Sequence, residues 1–181
     1  MKKMAMYSIG FLRVLFNLLS NFGKFKISGM KYYFGKNVKI WTHNGGKCCF
    51  EKKNWVSDYS CFEANGGQIC VGFNNFFNTN CKITSLENIK IGDNNLFGPN
   101  VVILDHDHRY RNTSVLINQQ GFEKSPVIIG SNVWICANVV VTRGVEIKDN
   151  IVVSANSVVK ESLIVPGVYA GNPAKLVKEI A

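Results

Sequence analysis

The sequence predicts an all-β chain wound as a parallel β-helix. Three observations carry that prediction: an aliphatic residue at every sixth position, small polar residues between them, and one long interruption of the beat. From Val127 to Val159 one register reads Ile129, Ile135, Val141, Ile147, Val153 and Val159. The register two places earlier reads Val127, Val133, Val139, Val145, Ile151 and Ser157, so eleven of the twelve positions are Val or Ile. A helix needs a spacing of three or four, and a hairpin meander does not hold so fixed an interval.

Each hexad has a simple physical reading. Two residues separated by one lie on the same face of a strand, so Val127 and Ile129 point inward and Ile128 outward. The chain then turns through Gly130-Ser131-Asn132, Ala137-Asn138, Arg143-Gly144, Lys148-Asp149-Asn150 or Ala155-Asn156, where Gly, Asn and Asp tolerate tight or left-handed backbone. Three hexads make one triangular coil, and each coil buries its aliphatic ring on the next.

The beat continues upstream with less regularity. Ile89, Ile91, Phe97, Val101 and Ile103 belong to one coil, and Val71, Phe77 and Ile83 to the coil before it. From Ile83 to Ile91 the step is eight, which predicts a corner carrying two extra residues. Between Phe34 and Ile69 the anchors are Val38, Ile40, Val56 and Phe62, with turns at Gly45-Gly46 and Gly66-Gly67.

Two stretches fall outside the beat. Residues 1–30 are apolar and basic, and Met4, Phe11, Leu12, Leu15, Phe16, Leu18, Leu19 and Phe22 fit an amphipathic helix. Arg13 and Asn17 interrupt it, which argues against a transmembrane span, and no small-residue cleavage site follows a clean apolar core. The segment reads either as a helix packed on the first coils or as a basic helix resting on an anionic membrane surface. The second stretch is the extruded loop 105–125, between Ile103 and Val127, which opens Asp105-His106-Asp107-His108-Arg109. Loops thrown out of rigid repeats commonly carry function, and carboxylates beside an imidazole orient it or stabilise its charge. On chemistry alone, either histidine is a candidate base and a solvated polar turn is the competing reading.

The string Pro126-Val127-Ile128-Ile129-Gly130-Ser131-Asn132-Val133-Trp134-Ile135, followed by Ala137-Asn138-Val139-Val140-Val141 and closed by Ala170-Gly171-Asn172-Pro173-Ala174-Lys175, resembles the hexapeptide-repeat acyltransferases. The likeness is to the maltose, galactoside and capsule-type O-acetyltransferases and covers roughly residues 69 to 178. It implies a left-handed parallel β-helix over 31–173 with an extruded loop, short helical segments at both ends, and a C-terminal tail over 174–181. Handedness comes from the resemblance alone, since ordinary parallel crossovers are right-handed. The resemblance also implies a homotrimer with active sites between neighbouring subunits, acetyl-CoA as acyl donor, no metal, and a saccharide hydroxyl as acceptor.

The same resemblance implies roles for single residues. The family's general base lies eight residues after the Asn closing the preceding hexad, which from Asn100 gives His108, with His106 as the alternative. Asn78 and Trp134 fall at acceptor-side positions, with a corner Asn and an outward stacking aromatic as their plain structural readings. Ala137, Ala155 and Lys178 match coenzyme A contacts. Where relatives carry Thr-Lys after the last full hexad this chain has Lys160-Glu161, which assigns Lys160 to the cofactor and adds a carboxylate beside it.

Composition sets outer limits. The chain has 181 residues, 46% hydrophobic, with formal charge +9, and reads as one domain with a short N-terminal element. The excess charge fits a polyanionic cofactor or a membrane surface, not a nucleic-acid motif. Six cysteines without Cys-x-x-Cys spacing are expected to be reduced, and the adjacent Cys48 and Cys49 beside His43 chelate poorly. The expected location is the cytoplasm, at the inner face of the membrane where residues 1–30 dock. Amino-sugar N-acetylation, a xenobiotic acetyltransferase, a γ-carbonic-anhydrase-like zinc protein and a non-catalytic scaffold are the competing functions.

Overall fold

The computed structural model describes residues 2–29 and 31–180, with side chains from Ser8 onward. Met1, Met30 and Ala181, which bound the expected terminal segments, and the Met4 side chain lie outside the described residues. The chain winds into a left-handed solenoid of six triangular coils. The first face stacks Phe25–Ile27, Lys47–Phe50, Gln68–Val71, Asn88–Ile91, Val127–Ile129 and Glu146–Ile147 in parallel. The second runs from Tyr33–Phe34 through Trp55–Val56, Phe76–Phe77, Leu96–Phe97, Trp134–Ile135 and Ile151–Val153 to Gly167–Gly171. The third carries Lys39–His43, Cys61–Asn65, Lys82–Ser85, Val102–Leu104, Val140–Val141 and Val158–Val159.

The core is the stack of inward positions. All twelve residues of the beat between Val127 and Val159 are at most 1% exposed, Ser157 included. Lower in the solenoid Phe50, Phe62, Phe77 and Phe97 pile ring on ring at 4.9, 5.0 and 4.4 Å between centroids. Beside them the aliphatic position of the second face is taken by Asn54, Asn75 and Asn95, all buried. Each donates its amide to the carbonyl of Gly72, Gly92 or Gly130 and accepts from the backbone N–H of Asn75, Asn95 or Val133 one coil above. Burial of these amides is tolerated because both ends of each are satisfied.

The expected helical segment 1–30 is shorter than its bounds. A helix spans Lys2–Ser20, and Phe25–Ile27 is already the first rung, paired with Cys48–Phe50. The helix packs on the first coil through Gly10, Val14, Asn17 and Asn21, one stripe at i, i+4, i+7 and i+11. Gly10 permits that approach, since a Cβ there would meet the Tyr33 ring at 2.6 Å.

The C-terminal segment corrects another expectation: it is a strand, not a helix. Ala174–Glu179 pairs antiparallel with Gly167–Gly171 after a turn at Asn172-Pro173. Helix formers such as Ala, Lys, Leu and Glu are overridden because the last strand of the second face has an open edge whose backbone groups need partners. The chain from 174 onward therefore belongs to the solenoid sheet. The eight-residue step resolves as a wider corner over Ser85–Asn88 between Lys82–Ser85 and Asn88–Ile91. The interruption 105–125 forms an arm, in which His106–His108 pairs antiparallel with Phe122–Lys124.

Candidate active site

The arm leaves the corner between the third and first faces, and a buried carboxylate fixes its root. Asp105 is fully buried and accepts from Ser85 Oγ at 2.7 Å, Leu86 N–H at 2.8 Å and Glu87 N–H at 2.9 Å. The widened corner of the coil below thus folds around Asp105. Its Oδ1 also lies 3.1 Å from His106 Nδ1.

Strand alternation then separates the arm's two faces. His106 and His108 share one side, where Phe122 packs against both, at 5.5 and 4.5 Å between ring centroids. Asp107 and its cross-strand partner Glu123 share the other, and Arg143 from the corner above reaches both, Nε to Asp107 at 2.8 Å and Nη2 to Glu123 at 2.5 Å. His106 is half-buried at the arm's root, while His108 is exposed further out. The sequence pointed to His108 but not to Arg143 or Glu123. Their signal was a charged residue at the corner after the interruption and an acidic residue at matching strand parity.

The residues expected to meet the acceptor and coenzyme A lie elsewhere. Asn78, Ala137 and Ala155 sit at the corner between the second and third faces. There Asn156 N–H donates to Ala137 carbonyl, and Asn138 N–H to Pro99 carbonyl, so these corners stack directly. Gly98 in this stack has no room for a side chain, since a Cβ would meet Ala137 N at 2.5 Å. Asn78 takes the Thr79 N–H on its own Oδ1 at 2.8 Å. Trp134 projects from the second face, half-exposed, between Leu96 below and Val152 above. Lys160 is exposed at the end of the last strand of the third face, and Lys178 lies on the final strand, opposite Val168. Glu161 is paired with Lys175 at 2.7 Å, so the unexpected carboxylate is matched by a cation.

Within the chain the expected site is therefore divided. His108 stands at one edge of the third face and Asn78, Ala137 and Ala155 at the other. All six cysteines are free. Burial pushes the Cys81 thiol up to about 12, and burial followed by the hydrogen bond with Cys70 takes Cys49 to about 12. Among the described residues no group of three His, Cys, Asp or Glu side chains is placed to hold a metal ion.

Residues 126–161 match the family model described as the hexapeptide repeat of succinyl-transferase. No curated protein sequence matches the chain. Among solved structures, a maltose O-acetyltransferase from Clostridium difficile 630 is 28% identical with a TM-score of 0.54, covering 88% of this chain and 68% of that one. A galactoside acetyltransferase in complex with coenzyme A is 28% identical with a TM-score of 0.62, covering 87% and 66%. A hexapeptide-repeat acetyltransferase from Vibrio cholerae O1 biovar eltor, complexed with acetyl coenzyme A, is 26% identical with a TM-score of 0.60, covering 78% and 71%. This chain spans about two thirds of the length of these relatives. The chain is thus similar, in its hexad repeat over 126–161 and in its β-solenoid fold, to hexapeptide-repeat acetyltransferases.

Proposed function

We propose that this chain transfers an acetyl group from acetyl-CoA to a saccharide hydroxyl, in surface polysaccharide modification, with His108 as general base. The observation that carries the reading is the split of the site across the third face: His108 is exposed on the arm at one corner, and the small residues Ala137 and Ala155 line the other. A second copy packed alongside closes that gap, so the active form is a homotrimer in which the arm of one subunit faces the corner of its neighbour. Acetyl-CoA supplies the thioester, and such a donor places the reaction in the cytoplasm.

A saccharide hydroxyl is a poor nucleophile near neutral pH. Neutral His108 takes its proton as the oxygen attacks the acyl carbon, and the proton then passes to the departing thiolate. Asn78 orients the acceptor, Trp134 flanks it, Ala137 and Ala155 leave a flat corner for the pantetheine arm, and Lys160 and Lys178 pair with phosphates. Support for His106 as the base instead comes from one distance, its 3.1 Å approach to Asp105, which would hold the ring in one tautomer.

The deciding experiment is acetyl transfer over mono- and oligosaccharides and amino sugars by wild type, His108→Ala and His106→Ala. His108→Ala is expected to bind acetyl-CoA normally and to lose roughly 10²–10⁴-fold in turnover. Turnover kept by His108→Ala and lost by His106→Ala moves the base; transfer to amines alone rejects O-acetylation. Mixing His108→Ala with Asn78→Ala subunits restores part of the activity where the site lies between copies.

A further inference from the structure

The N-terminal helix is packed the opposite way round from an ordinary surface helix. Its inward stripe holds Gly10, Val14, Asn17 and Asn21. Its outward arc holds Ile9, Phe11, Leu12, Leu15, Phe16 and Leu19, which at 100° per residue form one continuous face. Phe16 is 70% exposed, Leu19 66%, and Phe22, just past the helix end, 87%. A contiguous apolar surface of this kind marks an interaction site.

Charge identifies the partner. Nine of the 21 basic residues and none of the 12 acidic ones fall within residues 1–50, so the whole formal excess of +9 belongs to this end of the chain. The lysines flank the apolar arc on both sides. Lys31 and Lys53 line a groove of about 650 Å³ with Phe11, Ile27, Tyr33 and Trp55. Lys36 and Lys39 line a second with Ile9, Leu12 and Phe16. A second copy of the same surface would bring two basic rims together, which repel. An anionic lipid surface satisfies both features, since stable peripheral attachment takes an apolar insertion plus a polybasic patch. The helix is not long and apolar enough to cross a bilayer.

We propose that the N-terminal end of the solenoid is a docking surface for anionic membranes, with the outward face of Lys2–Ser20 inserted at the interface and the flanking lysines on lipid headgroups. The inference stands apart from the acetyltransferase reading, and its test uses no acetyl donor. The full chain is floated with vesicles of phosphatidylcholine alone and of phosphatidylcholine mixed with phosphatidylglycerol. Binding is expected only to the mixed vesicles and weakens as salt is raised. Phe11→Ser with Phe16→Ser, and separately Lys31→Glu with Lys36→Glu, are each expected to lower it by at least about tenfold with thermal unfolding little changed. All four residues are exposed and none belongs to the buried stripe Gly10, Val14, Asn17 and Asn21. Binding to neither vesicle, equal binding to both, or wild-type self-association that the serine variant abolishes overturns the proposal.

Discussion

Arg143 holds Asp107 at 2.8 Å across 36 residues of chain, and its second nitrogen holds Glu123 on the opposite strand of the arm. The histidines occupy the other side of the same two strands, so this clamp fixes the arm without touching either imidazole. Both carboxylates are well exposed, and the pairs contribute little to global stability. Their value lies in orientation. Arg143→Ala is expected to lower acetyl transfer about tenfold or more through misplacement of His108, with the melting temperature nearly unchanged. Arg143→Lys is expected to recover only part, because one ammonium cannot reach both carboxylates in a fork. Steady-state kinetics beside thermal unfolding check this.

Asp105 is a different kind of acid. It is fully buried and serves three donors from the corner below, so Asp105→Ala leaves the Leu86 and Glu87 N–H groups without that acceptor. A loss of about 3 kcal/mol or more in denaturant unfolding is expected. Asp105→Asn keeps the shape but turns one acceptor into a donor, and falls between.

The distinction between these sites explains how much the sequence disclosed. From Val127 to Val159 the core is aliphatic, so the period was readable residue by residue. Below it Asn54, Asn75 and Asn95 occupy core positions, and their inward direction depends on carbonyls one coil away that no local pattern reveals. Asn17 looked like a break in a helical face and is instead part of the buried face. The fate of residues 174–179 turned on an open sheet edge, a tertiary fact. At the candidate site the histidine pair was legible as a motif. Its placement opposite Asn78 across the third face depends on how many residues each coil consumes.

The corner stack carries a conformational requirement. Asn138 has φ near +59° and links Asn100 to Asn156 through its side chain at 2.9 Å on either side. Asn138→Ala keeps neither the ladder nor an easy left-handed backbone, and about 1–2 kcal/mol of stability is expected to go. Asn138→Gly loses the ladder but accepts the backbone, so it is the milder change in urea unfolding.

Alkaline pH tests the buried thiols. Burial raises Cys81 from the ordinary 9.0 to about 12. The folded chain then keeps a proton that the unfolded chain releases, so this stability is complete below the unfolded value and is lost as pH rises toward the folded one. Between about pH 9 and 12 the loss from one such group is up to about 1.4 kcal/mol per unit. Cys81→Ser removes the group, and its melting temperature is expected to fall less steeply than that of wild type between pH 8 and 10.

Asn17 and Asn21 do for the first coil what another strand would do. Lys39–His43 is the edge of the third face; Asn17 Oδ1 accepts the Ile40 N–H at 2.8 Å, and Asn21 Nδ2 donates to the Ile40 carbonyl at 2.8 Å. Thr42 Oγ1 then donates to Asn21 Oδ1 at 2.8 Å, so the amides cap the edge as a rung would. Open edges pair with other chains, and covering them is a defence against aggregation. Asn17→Leu suits the helix and the apolar neighbours but strips the cap from Ile40. It is expected to cost about 1–3 kcal/mol, to speed amide exchange at Ile40 selectively, and to promote aggregation on mild heating. Unchanged exchange at Ile40 would show that the amides are bystanders and that the helix alone shields the edge.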